Sequence, residues 1–351
     1  MPNSNSNSEA LVPIRSTKLE RINDSMKITE RLLPPVQYIP FLKKNNKYVY
    51  VNSVTKKVAF DEREYRHARE FSEGLAAVFV DEGWGYISNT GEVVIPFVFD
   101  NALVFQDGLG SVSINGNYGF IDKTGKIVIP FKYNYADGFS EELSLVRLDQ
   151  KYGFIDKAGN TVVSCIYDEA RSVSEGLAAV KLNSKWGFID RTGDERVPCI
   201  YENVSDFSEG LAAVKINGKW KFVDENQDIV FHSDYDEAMA FSEGLAAVNI
   251  DGAWGYIDKM GNQIIPSRYG MVFNFSEGLA MVWLNREYAF IDKSGSEKIK
   301  FSTNPLPMKL KNGYGIYYYC DIIGSEEVVT HVIFIDRSGF IYMEKFNQLI
   351  K

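Results

Sequence analysis

A unit of 34 residues recurs seven times without a gap between residue 71 and residue 308. An aromatic residue opens almost every copy, at Phe71, Phe105, Phe139, Phe207, Phe241 and Phe275, and Val173 takes the remaining slot. A fixed period of this size means a repeat architecture, in which each unit buries its apolar surface mainly on its neighbours. The 351 residues therefore do not divide into conventional domains, because an array of repeats has no preferred length.

Each copy reads as β structure. In the copy that opens at Phe241, Leu245 to Ile250 is an aliphatic strand and Asp251–Gly252 is a two-residue hairpin turn. Trp254 to Ile257 is a second strand, followed by a turn ending at Gly261. A third strand ends at Pro266, which has no amide hydrogen to donate. About a dozen connecting residues lead to the next copy, so the expected unit is a three-stranded meander plus a connector.

Comparing copies separates constant from variable positions. Val78, Val112, Val146, Val180, Val214, Val248 and Val282 form a constant column; the next column reads Phe79, Ser113, Arg147, Lys181, Lys215, Asn249 and Trp283. Successive strand residues point to opposite faces, so the first column is expected to face the core and the second to face outward. Trp84, Tyr118, Tyr152, Trp186, Trp220, Trp254 and Tyr288 form an aromatic ladder expected to be structural. Tyr86, Phe120, Phe154, Phe188, Phe222, Tyr256 and Phe290 form another.

The segments outside the seven copies differ in character. Residues 1–16 are Asn/Ser-rich and read as a disordered tail. Residues 17–40 read as a short amphipathic helix, with Leu19, Ile22, Met26 and Leu33 apolar, and a linker after Pro34–Pro35. Residues 41–70 read as a worn partial repeat or cap, in which Tyr50–Val51–Asn52 matches Tyr86–Ile87–Ser88. Residues 309–351 read as a divergent last copy or cap, with about ten residues inserted around Cys320 to Thr330.

The Trp–Gly pairs at Trp84–Gly85, Trp186–Gly187 and Trp254–Gly255, with their flanking EGLAAV, YID and IP segments, resemble the WG-repeat (KWG-repeat) family of bacterial proteins. Tyr118–Gly119, Tyr152–Gly153, Trp220–Lys221 and Tyr288–Ala289 depart from the dipeptide but keep its phase. The resemblance implies a β-repeat domain that serves as an interaction surface and carries no catalytic residues. The fold expected is an all-β open curved solenoid or array of three-stranded units; the alternative is a closed seven- or eight-bladed propeller-like ring.

Function is less legible. Net charge is −9, which argues against a general nucleic-acid binder. The first residues lack a signal-peptide pattern and no apolar run approaches a membrane span, so a cytoplasmic protein without membrane contact is expected. His67, His232 and His331 share no repeat phase, and no nucleophile, metal or phosphate-loop motif occurs; no enzyme activity, metal or cofactor is expected. Cys165 and Cys199 hold the same slot in adjacent copies and read as buried thiols. The turn aspartates Asp122, Asp156, Asp190, Asp224, Asp258 and Asp292 are expected to accept amides of their own turns, as is the column Glu73, Asp107, Glu141, Glu175, Glu209, Glu243 and Glu277. Because Glu142 stands where six copies have Gly, that turn is not expected to require φ > 0.

The sharpest functional signal is a basic stripe on three adjacent copies: Arg147, Lys181 and Lys215, with Lys151, Lys185 and Lys219 four residues on. With the aromatics Phe79 and Trp283 it is the expected contact surface for another protein, one with an acidic face. A glycan-binding module is the second reading, which requires solvent-exposed Trp84, Trp186, Trp220 and Trp254. The third is an enzyme with a groove beside the N-terminal helix.

Overall fold

The computed structural model describes residues 38–43, 45–52, 55, 57–231, 234–301, 314–323, 327–336 and 341–345, with backbone alone from Ile299 onward. The expected tail and helix, and His232, lie outside the described residues.

Among the described residues the chain is built of antiparallel sheets, each made from strands consecutive in sequence. Six of the seven repeat sheets have four strands and the fifth has three. In the sixth sheet the order is Glu237–Ala238, Leu245–Ile250, Ala253–Asp258 and Gln263–Tyr269. The first of these strands comes from the segment expected to be only a connector. It pairs as Glu237↔Asn249 and Ala238↔Val248, so every sheet borrows an edge strand from the tail of the preceding sequence copy. No strand ladder joins the first sheets to the last among the described residues, as expected for an open array.

Each repeat sheet is covered on both faces. Leu143, Leu145, Phe154, Val163 and Tyr167 of the third sheet pack against Val173, Ala178, Val180 and Ile189 at the fourth. This explains the Leu-Ala-Ala-Val run: Leu75, Ala76, Ala77 and Val78 are all buried, because neighbouring residues face different neighbouring sheets. The aromatic that opens a copy then plugs the gap, as Phe105 against Tyr86 at 4.8 Å and Phe207 against Phe188 at 4.7 Å between ring centroids. Tyr50 of the degenerate segment packs against Phe71 in the same way, at 5.0 Å.

The Ser-Glu-Gly segment stitches one copy to the next. The Ser72 hydroxyl donates to the Phe105 carbonyl at 2.6 Å, and Ser140, Ser174 and Ser242 donate to Val173, Phe207 and Phe275. The glutamates do not cap their own turns, as expected from sequence, but those of the following copy. Gly108 N–H donates to Glu73, Gly176 to Glu141, Gly210 to Glu175, Gly244 to Glu209 and Gly278 to Glu243. Cations from the following copy close the link, in Lys123–Glu73 (2.9 Å), Lys259–Glu209 (3.1 Å) and Lys293–Glu243 (3.1 Å). Sequence periodicity places both partners in columns but cannot say which copy's carboxylate meets which copy's amide.

The turn does require positive φ. Glu73 and Gly74 have φ of 53° and 88°, and Glu142 is forced to 74° where the other copies use Gly. A left-handed residue with a Cβ costs about 1 kcal/mol. Glu142→Gly is therefore expected to raise unfolding free energy by about 1 kcal/mol, offset in small part by loss of the exposed Lys157–Glu142 pair. Urea denaturation checks this; an unchanged midpoint would show that the turn tolerates the side chain.

The glycine of the Trp–Gly pair has a different reason. Trp254 pairs with Tyr269 and Tyr256 with Ile265, so residues 266 to 268 face Gly255 alone and the third strand bulges over it. A Cβ there would lie 2.5 Å from the Ile265 carbonyl oxygen, and the equivalent distance is 2.6 Å at Gly85 and 2.4 Å at Gly187. The two departures fit. Opposite Ala289 the third strand runs one-for-one, Tyr288↔Phe301, Ala289↔Lys300, Phe290↔Ile299. The fifth sheet, with Lys221 in this slot, is the one with only three strands. In the last copy, the inserted residues lengthen a hairpin of two ten-residue strands, Tyr314–Ile323 and Glu327–Asp336.

Candidate functional site

The variable positions gather at one end of the sheets, beside the hairpin turns. In the fourth sheet Glu169 pairs with Lys181, Lys181 with Trp186 and Trp186 with Tyr201, giving a transverse row on one face. The same row reads Tyr135, Arg147, Tyr152, Tyr167 in the third sheet and Met271, Trp283, Tyr288, Phe301 in the seventh. The aromatic half is nearly constant and forms the floor. The other half changes chemical class from sheet to sheet, and the hairpin residues next to it change with it. At the opposite end the Ser-Glu-Gly and Asp-containing turns remain close to constant.

The variable column does not face outward, as simple alternation predicts. Arg147, Lys181, Lys215, Phe79 and Trp283 are half-buried, and Ser113 and Asn249 are buried. The reason is that the next sheet covers this face, leaving only its turn-proximal end open. Aromatic floors hold the cations: Arg147 lies 5.8 Å from the Tyr152 ring centre, and Lys181 and Arg171 lie 5.7 and 4.9 Å from that of Trp186.

Half of the basic stripe is neutralised. Lys151 pairs with Asp168 at 2.5 Å, Lys181 with Glu169 at 2.7 Å, and Lys219 with Asp236. These carboxylates come from the crossover into the borrowed edge strand, which brings them beside the lysines 12 or 17 residues away in sequence. Exposed Lys185 and half-buried Lys215, in adjacent sheets, form no ion pair among the described residues.

The ladder tryptophans are packing residues. Trp186 and Trp220 are 6% and 9% exposed, while Trp84 and Trp254 are half-buried. At Trp186 and Trp220 this leaves no exposed ring of the kind the glycan reading requires, whereas Trp84 and Trp254 stay partly open. Cys165 and Cys199 are half-buried and free, and burial raises both thiol pKa values. A cavity of about 400 Å³ near the N-terminal hairpin is lined by Tyr38, Asn52, Lys57, Phe60, Asn89 and Thr90. Among the described residues there is no group of three or more potential metal-ligating side chains, and no helix long and apolar enough to cross a membrane.

The aspartate column behaves as its sequence position implies. Asp190 accepts the N–H groups of Thr192 and Asp194 at 2.9 and 3.1 Å, and Asp258 those of Met260 and Asn262. The Thr192 hydroxyl, followed by the turn amides and Arg196, pulls the Asp190 pKa down to about 2 despite some desolvation. A carboxylate whose pKa is depressed in the folded state stabilises the fold above its unfolded value of about 3.9. That contribution disappears as pH falls from about 4 toward about 2. Asp190→Asn is expected to flatten the loss of stability over this window in urea titrations. A slope equal to that of the unaltered protein would remove Asp190 from the explanation.

The chain matches the family described as WG containing repeat at residues 84–118, 118–152, 152–186, 186–220, 222–252 and 254–285. No match occurs among curated proteins. Among solved structures it is similar to one titled "Crystal structure of the eukaryotic initiation factor", with a TM-score of 0.62 and 10% identity over 90% of this chain and 97% of that one. It also aligns with the dihydro-heme d1 dehydrogenase NirN in complex with DHE, with a TM-score of 0.49 and 13% identity over 88% and 73% of the two chains. At such identities the first likeness is one of fold, and that fold is β-propeller-like.

Proposed function

Because the chain belongs to the WG-repeat family, six consecutive copies of which match, we propose that it is a non-catalytic module that binds another protein through the hairpin ends of its sheets. The observation that carries this reading is the gathering of variable residues at one end of an otherwise constant framework. A repeat scaffold needs constant positions to pack, and leaves specificity to those that packing does not fix. The bacterial cytoplasm as its setting belongs to the same proposal.

The partner's surface would be acidic where it meets Lys185 and Lys215, which with Arg147 are the stripe cations without an ion pair among the described residues. The test is capture from a cell lysate using the intact protein, Lys185→Glu with Lys215→Glu, and a control Lys126→Glu at the opposite end. A protein captured by the intact chain and the control, but weakened about tenfold by the double substitution, supports the reading. Equal capture by all three overturns the assignment of the binding face.

A further inference from the structure

The first repeat sheet differs from the rest at its hairpin end. Its transverse row is His67, Phe79, Trp84 and Phe99, so every strand contributes an aromatic ring. The His67 and Trp84 rings lie 6.3 Å apart at an interplanar angle of 14°. Phe79 is 5.5 Å from Trp84, and Tyr48 is 6.0 Å from His67. His67 is exposed, while Tyr48, Phe79 and Trp84 are half-buried. Packing alone does not call for this row, since the next sheet uses Asn101 and Ser113 in the same two slots.

We infer that this aromatic row docks a proline-rich segment of a partner protein that carries Lys or Arg beside its prolines. Proline rings pack on aromatic faces, and a polyproline II segment is already extended, so little ordering entropy opposes docking. A glycan would also use ring faces, but needs free polar groups to read its hydroxyls. Around this row the Arg and Asn side chains nearest the rings are engaged. Arg69 lies 5.0 Å from the Trp84 ring centre and its guanidinium donates to Asn101; Asn101 donates to Tyr118; and Arg66 pairs with Asp81. The hairpin turn beside the row also carries Glu82, which is exposed and without an ion pair among the described residues; its charge complements a basic flank.

The inference rests on the reading that the hairpin ends form the recognition face, and its test is independent of the acidic partner. The purified full chain is titrated by calorimetry with a decaproline peptide bearing one terminal Arg, with the same peptide in alanine, and with a soluble β-glucan oligosaccharide. His67→Asn with Phe79→Ser installs the next copy's own residues, so the sheet keeps a pattern this fold already uses. Saturable binding of the proline peptide alone, weakened about tenfold by this double variant at unchanged melting temperature and unaffected by Lys185→Glu with Lys215→Glu, supports the site. Absence of saturable peptide binding, or binding that the double variant leaves intact, overturns it. Saturable oligosaccharide binding lost in the same variant would overturn it in favour of a glycan site.

Discussion

Gly187→Ala is expected to lower unfolding free energy by about 3 kcal/mol, at the upper end of what overpacking usually costs. The added Cβ would lie 2.4 Å from the Val197 carbonyl oxygen and 2.7 Å from the Cys199 nitrogen and the Pro198 carbonyl carbon. All three are backbone atoms, so no side chain can rotate away, and relief requires the bulge of the third strand to move. Ala289→Gly is the matched control. Its third strand already runs one-for-one, so the change should cost only the ~0.5–1 kcal/mol of glycine's extra unfolded-state freedom. Urea unfolding of both variants checks the pair. A loss below about 1 kcal/mol for Gly187→Ala would show that the bulge slides freely and that the Trp–Gly pair needs another explanation.

Phe222→Ala is the second large effect, expected to cost about 3–5 kcal/mol. Phe222 has no solvent exposure and meets Phe241 at 5.0 Å, Phe231 at 5.3 Å and Tyr235 at 6.1 Å. With Leu211, Ala213 and Trp220 it closes the joint onto Ala246, Val248 and Ile257 of the following sheet. Sheets in such an array couple chiefly to their neighbours, so weakening one joint should also split a single thermal transition into two. Phe79→Ser, at a half-buried slot, should leave one transition. Calorimetry separates the outcomes; a single transition with an unshifted midpoint in Phe222→Ala would rule out this joint as a coupling element.

Much of the local structure was legible because repetition supplies its own comparison. Asp251–Gly252 marks a hairpin, and Asp258 accepts amides of its own turn as its spacing implies; Pro266, expected to end the third strand, instead lies inside Gln263–Tyr269, at the bulge over Gly255. The short strand Glu237–Ala238 was not legible, since two residues carry no readable alternation. The role of Gly255 was also hidden. A constant glycine signals close approach, but only the paired strands show that the approaching group is the Ile265 carbonyl.

The candidate surface divides similarly. That Phe79, Arg147, Lys181, Lys215 and Trp283 share one variable column follows from the period alone. That Lys181 meets Glu169 and Lys151 meets Asp168, so that part of the stripe is neutralised, depends on a crossover that no pattern of types reveals.

The amino-acid sequence by itself determined the period, the hairpins and the constant apolar columns, because repetition sets constant positions beside variable ones. Which face of each sheet meets water, and which copy's carboxylate caps which copy's turn, was decided only in the tertiary structure. Alternation along a strand distinguishes its two faces, but an apolar neighbour covering the second face leaves no separate mark in the sequence of that strand.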